Sequence, residues 1–205
     1  MKDLDTIAQF HGTDKATVFT RTYAKPKGYT LHYEKFFEPL RDQPIKLLEV
    51  GVGGGESIRT WLEYFPRAKV YGIDNVTDTN PWNTPHATVT PHPRYKFVHG
   101  DQTDRTMYKC FAADHGSDFD VIIDDGGHYN DQTILSLSGL WPIVKSGGFY
   151  AIEDLGVDSP GSVFIKTGWV GHLEFLRLLT NELDRGEGGI ASVYRSPELA
   201  ILRKK

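Results

Sequence analysis

Short runs of contiguous apolar residues, several of them closing on a carboxylate, alternate along this chain with segments whose apolar residues recur every three or four positions. The first pattern predicts strands buried on both faces, as in a parallel sheet, and the second predicts helices packed over them. Strands are expected at 45–50, 69–74, 95–98, 119–124 and 148–153, with helices at 31–41, 56–65, 103–113 and 131–144 between or before them. In the helix at 31–41, Leu31, Phe36, Phe37 and Leu40 are expected on one apolar face. A shorter helix is expected at 4–10. After a helix at 169–183 and a Gly-rich turn at 186–189, two short strands at 190–194 and 199–202 read as a hairpin. Regular strand–helix alternation predicts right-handed βαβ units. The expected fold is therefore α/β: a Rossmann-like, doubly wound, mostly parallel sheet of seven strands with an antiparallel last strand. One domain spans 1–205, and residues 1–44 are expected to form a helical cap over the site.

The most informative stretch is Val121-Ile122-Ile123-Asp124-Asp125-Gly126-Gly127-His128. In open α/β sheets ligands bind beyond the carboxyl ends of the strands, which is where this run turns from apolar to acidic. Successive strand residues face opposite ways, so Asp124 and Asp125 are expected to do different jobs. The two glycines permit a sharp turn and close approach of a ligand. A histidine beyond them brings an imidazole, a group suited to moving protons near neutrality.

Composition narrows the class. With 39% hydrophobic and 12% aromatic residues the chain can fill a globular core. A formal charge of −4 gives no general attraction for polyanions, so nucleic acid is not an expected partner. Cys110 is the sole cysteine, which rules out an intrachain disulfide and favours a reducing compartment. No stretch is long and apolar enough to suggest a membrane span or a secretory leader, and a cytoplasmic location is expected.

Glu49-Val50-Gly51-Val52-Gly53-Gly54-Gly55 follows a strand and opens a helix, the context in which a Gly-rich turn has meaning. Gly51 would let the backbone pass close to a cofactor. Glu56, however, stands where a dinucleotide fingerprint requires a small residue, and a carboxylate is electrostatically wrong beside a pyrophosphate. No Gly-Lys-Ser/Thr follows, which removes the P-loop. A cofactor with a ribose but no phosphate chain remains. Asp74 is placed for its hydroxyls, Asp101 with Gln102 for an adenine amino group, and Glu49 for a cationic amino acid end. Glu49, Asp74, Asp101 and Asp124 end successive strands, a set that capping and turn chemistry explain poorly together.

On these residues the chain resembles the class I S-adenosylmethionine-dependent methyltransferases. More narrowly, it resembles the metal-dependent sugar O-methyltransferases that act on macrolide and polyketide glycosides. The resemblance runs from His11-Gly12-Thr13-Asp14-Lys15 through Glu49–Gly55, Gly72-Ile73-Asp74, Gly100-Asp101-Gln102 and Ile123–His128 to Ile152-Glu153-Asp154. It implies S-adenosylmethionine bound by Thr13, Ser57, Asp74, Asp101 and Gln102. It also implies Mg²⁺ (Mn²⁺ or Ca²⁺ being chemically similar) on Asp125, Glu153 and Asp154, His128 as general base, and a small sugar-containing acceptor. A homo-oligomer is expected. Independently of the resemblance, acids at the ends of neighbouring strands can converge on one ion, and carboxylates without cysteine favour hard cations over zinc.

Other classes fit less well. A small-phenol or catechol O-methyltransferase would use the same parts. A nucleic-acid N-methyltransferase would carry Asn/Asp-Pro-Pro-aromatic where Asp-Asp-Gly-Gly stands. A non-haem iron oxygenase requires two histidines and a carboxylate, and a binding module has no need of His128. The aperiodic, proline-rich residues 76–94, with Trp82, are expected to form a rim over the site or a contact between subunits.

Overall fold

The structure, a computed structural model, describes residues 2–19, 25–75, 91–157 and 162–205. Seven strands, β1 (Lys46–Val50), β2 (Lys69–Asp74), β3 (Tyr95–His99), β4 (Phe119–Asp124), β5 (Val144–Ile152), β6 (Ile190–Arg195) and β7 (Ala200–Lys204), form one sheet in the order β3-β2-β1-β4-β5-β7-β6. The pairs β1–β2, β2–β3, β1–β4 and β4–β5 are parallel, whereas β7 is antiparallel to both β5 and β6. The expected fold class is the observed one. The order reverses at β1, so β1 and β4 diverge at their carboxyl ends and open a crevice there.

Helices cover both faces. On one side α1 (Leu4–His11), α2 (Tyr29–Phe37) and α3 (Glu56–Tyr64) pack on Leu47, Val70, Val121, Ile123 and Ala151. On the other, α4 (Arg105–His115), α5 (Asn130–Leu140) and α6 (His172–Asp184) pack on Leu48, Ile73, Ile122, Tyr150 and Ile152. Strand alternation thus sends neighbours in β4 into different cores, which is why its apolar run is unbroken. Asp124 continues the α4/α5 face, and Asp125 emerges on the other.

Three expectations change in detail. The helix expected at 31–41 is α2 followed by a 3₁₀ turn at Glu38–Leu40, because Pro39 cannot continue the α-helical hydrogen bonding. Its buried face is Tyr29, Tyr33 and Phe37, one turn apart, while Leu31 is exposed. β5 begins at Val144, four residues before the expected start. Its first turn carries a register shift against β4, and Gly147 takes a left-handed φ of 77°. Residues 76–90 of the proline-rich stretch lie outside the described residues. At its described end, Arg94 donates to the carbonyls of Leu62, Phe65 and Ala68 and so closes the end of α3.

Candidate active site

A cleft of about 540 Å³ opens at the carboxyl ends of β1, β2, β3 and β4. Its walls include Thr13, Gly51, Ser57, Asp74, Gln102, Asp125, His128 and Asp154, each of them singled out in the sequence. Glu49, Asp101, Asp124 and Glu153 are not on its walls; each is engaged behind or beside them.

The Gly-rich turn is built from the strand ends. Gly51 donates its N–H to Ile73, and its φ of 87° excludes a side chain. A Cβ there would also run into the Asp125 carbonyl, so the turn packs directly against the exit of β4. Asp74 Oδ2 accepts the Val52 and Gly53 N–H groups at 2.7 and 3.0 Å and holds the turn to β2. Glu56 folds its carboxylate back over Gly54 at the mouth, which agrees with the exclusion of a pyrophosphate. Glu49 is fully buried beneath the turn, where its Oε2 accepts from Ser57 Oγ at 2.8 Å and Trp61 Nε1 at 3.1 Å. Burial raises the Glu49 carboxyl to about 7, against the pull of Lys15.

At the exit of β3, Gln102 is a strut. Its Nε2 donates to Asp124 Oδ1 at 2.7 Å, and its Oε1 accepts the Gly127 N–H at 3.0 Å. A Cβ at Gly126 would meet the Gln102 amide and push this strut out of place. Asp124 also accepts from Tyr150, and burial raises its carboxyl to about 7. Asp101 turns to the N–H and hydroxyl of Thr103 and is exposed.

Asp125, His128 and Asp154 form the cleft's acidic corner. One ligand atom from each lies within 4.8 Å of the other two. His128 Nε2 is 3.4 Å from Asp154 Oδ2 and 4.0 Å from Asp125 Oδ1. The opposite oxygen of each acid is tied down. Asp154 Oδ1 accepts from Tyr29 at 2.7 Å and lies 2.9 Å from Lys27 Nζ, while Asp125 Oδ2 bonds Lys15 Nζ. Burial alone would raise the Asp154 carboxyl, but His128 and Lys27 hold it below its ordinary value. His128 and Asp154 both stand in left-handed backbone, at φ 59° and 56°; among the described residues only Asp118 shares this without being glycine. Such conformations concentrate at functional sites. Two carboxylates, each with an oxygen turned inward, are hard donors that fit a divalent cation such as Mg²⁺, and the imidazole stands beside them.

Glu153 lies deeper than its neighbours. Its Oε1 accepts from Tyr33 at 2.5 Å and its Oε2 from Lys15 at 2.6 Å. The grouping the geometry brings together is thus Asp125, His128 and Asp154, with Glu153 beneath it holding the lysine. Sequence reasoning did not single out Lys15, Tyr29, Tyr33 or Lys27. The available signal was charge: several buried acids at adjacent strand ends require a cation, and Lys15 ends the His-Gly-Thr-Asp-Lys loop.

Comparison with known proteins agrees with this geometry. Residues 48–155 match the Methyltransf_24 family, a methyltransferase domain. The chain is 34% identical over 144 residues to mycinamicin VI 2''-O-methyltransferase of Micromonospora griseorubida, covering 67% of this chain and 34% of that protein. It is 33% identical over 160 residues to 8-demethyl-8-(2-methoxy-alpha-L-rhamnosyl)-tetracenomycin-C 3'-O-methyltransferase of Streptomyces olivaceus, covering 75% of this chain and 37% of that one. A crystal structure of the MycE methyltransferase of mycinamycin biosynthesis, in complex with Mg and SAH, superposes with a TM-score of 0.80 at 27% identity. The match covers 99% of this chain and 55% of MycE. The fold and the strand-end cleft are those of a class I methyltransferase. The chain belongs to the methyltransferase-domain family, and it spans about a third of the length of these two sugar O-methyltransferases.

Proposed function

We propose that this chain is an S-adenosylmethionine-dependent, divalent-cation-dependent O-methyltransferase acting on a sugar hydroxyl of a small natural-product glycoside. The observation that carries the reading is the convergence of Asp125, His128 and Asp154 on the same cleft as the Asp74-anchored Gly turn. The relatives' sugar acceptors, and the Mg and SAH of MycE, support the same choice of acceptor and cofactors.

The residues divide the work. Thr13, Gly51, Ser57, Asp74 and Gln102, which line the same cleft as the acidic corner, would hold the cofactor. Asp125 and Asp154, with Glu153 beneath, would hold the cation. When bound there, a divalent cation lowers the pKa of an acceptor hydroxyl and fixes its orientation. His128 Nε2 would take the proton as the sulfur–methyl bond breaks and the oxygen–methyl bond forms. The rest is alignment of two reactants in one cleft. The loop carrying Thr13 and Lys15 sits on the cleft wall, consistent with residues 1–44 acting as a cap. No helix among the described residues is long and apolar enough to cross a membrane.

The test is turnover with a methyl-labelled cofactor across a panel of deoxysugar glycosides and catechols, with Mg²⁺ and with excess chelator. A mass gain of one methyl on a glycoside, abolished by chelator and restored by Mg²⁺, is expected. Turnover in excess chelator would remove the cation from the reading, and preference for catechol would remove the sugar.

A further inference from the structure

Lys15 is an unusual neighbour for a cation site. Its side chain is 3% exposed and its ammonium lies among three carboxylates: bonded to Asp125 Oδ2, 2.6 Å from Glu153 Oε2 and 3.4 Å from Glu49 Oε1. Burial would lower the Lys15 ammonium, but Asp125, Glu153, Glu49 and Asp14 raise it well above its ordinary value. It therefore already supplies positive charge to two acids, Asp125 and Glu153, that the strand ends also offer to a metal. The third acid is differently placed: Glu49 Oε1 is buried with no hydrogen-bond partner, and it faces the same ammonium. A buried carboxylate oxygen left without a donor is costly, and one within reach of a flexible ammonium is a ready second seat for it.

We propose that Lys15 is a displaceable internal counter-ion with two seats. Without metal its ammonium bridges Asp125 and Glu153. When a divalent cation takes those two acids, the ammonium shifts onto Glu49 Oε1, a movement of roughly half an ångström as a 3.4 Å gap closes to a hydrogen bond. The shift links the metal corner to the floor of the Gly-rich turn, because Glu49 also bonds Ser57 on the cleft wall. Lys15 thereby supplies one positive charge to these acids in both states and sets how strongly a cation must bind to enter. This inference rests on the divalent-cation reading above.

The experiment is a calorimetric titration of the metal-free protein with Mn²⁺ at one pH, on wild type, K15M, E49Q and the double variant, each checked for folding by circular dichroism. K15M removes the competitor and a neighbouring like charge, so its affinity for Mn²⁺ is expected to rise by ~10-fold or more. E49Q removes the charged second seat, so affinity is expected to fall severalfold in the wild-type background and to be unchanged in the K15M background. That non-additivity is the signature of a displaced ammonium. Equal or weaker binding by folded K15M would make Lys15 a plain structural brace and overturn the proposal. Should K15M not fold, wild-type affinity in E49Q overturns it alone. Absence of Mn²⁺ binding to wild type would instead overturn the cation reading itself.

Discussion

His128 Nε2 lies 3.4 Å from Asp154 Oδ2, and both residues hold left-handed backbone at the ends of adjacent parallel strands. The turn after β4 and the turn after β5 are therefore each bent so that a side chain returns to the same point. His and Asp are among the residues that tolerate this conformation, and Asn tolerates it too. His128→Asn should keep the backbone and lose the imidazole. Turnover is expected to fall ~10²–10⁴-fold with little change in cofactor affinity. Steady-state kinetics beside calorimetry with S-adenosylhomocysteine make the check: an equal loss in both would mean that His128 shapes the cofactor site and moves no proton.

In the proposed function, Asp74 would act on the cofactor through the backbone. One of its oxygens holds the Val52 and Gly53 N–H groups, so its removal frees the turn that the cofactor would lie on. Charge-assisted bonds of this kind contribute about 1.5–3 kcal/mol, and Asp74→Ala is expected to weaken S-adenosylhomocysteine binding by ~10–100-fold. Far-ultraviolet circular dichroism should be unchanged. Wild-type affinity in a folded variant would detach Asp74 from the cofactor.

The glycines of the turn differ in kind. At Gly51 a positive φ coincides with a Cβ that would strike the Asp125 carbonyl, whereas at Gly53, with φ 49°, nothing lies within 4 Å. Gly53→Ala should cost about 1–2 kcal/mol, for the left-handed conformation alone. Gly51→Ala must also push β1 and β4 apart, and it should cost clearly more in denaturant unfolding. Equal costs would show that the β4 exit yields freely to the turn.

How much of this was legible follows from what each signal reports. Strands buried on both faces announce themselves as apolar runs, and β2 and β4 have their expected ends. Acids that close such runs mark the crevice, because only the carboxyl ends of the strands face it. The buried face of α2 was only partly legible: Phe37 is in the core and Phe36 packs against it as expected, but the two tyrosines were missed. Tyr29 and Tyr33 look amphipathic in sequence, yet both lie in the core with hydroxyls spent on Asp154 and Glu153, while the more apolar Leu31 faces solvent. The role of Glu153 was only half legible. Its position at a strand end could be read, but its partners, Tyr33 and Lys15, are 120 and 138 residues away in the chain. Long-range charge pairing leaves no local periodicity to read.

The pH dependence of stability follows from Asp124. Its carboxyl is buried among Gln102, Tyr150 and the Gly126 N–H, and burial raises it from an ordinary 3.8 to about 7. Between those values the folded chain holds a proton that the unfolded chain has lost. The stability contributed by Asp124 must therefore fall as pH rises from about 4 to about 7, with no further slope above that. Glu49, raised to about 7, contributes a slope of the same sign. Asp124→Asn removes the charge but keeps an oxygen for Gln102 Nε2 and gains an amide that can donate to Tyr150 Oη. Denaturant unfolding in chelator should show a shallower decline for the variant over this range. The difference from wild type should grow between about pH 4 and about pH 7, level off above that, and be at most a few kcal/mol, the ceiling set by about three pKa units. A variant destabilised equally at every pH would show instead that Asp124 is ionised throughout and that its hydrogen bonds, rather than its burial, govern the β4 exit.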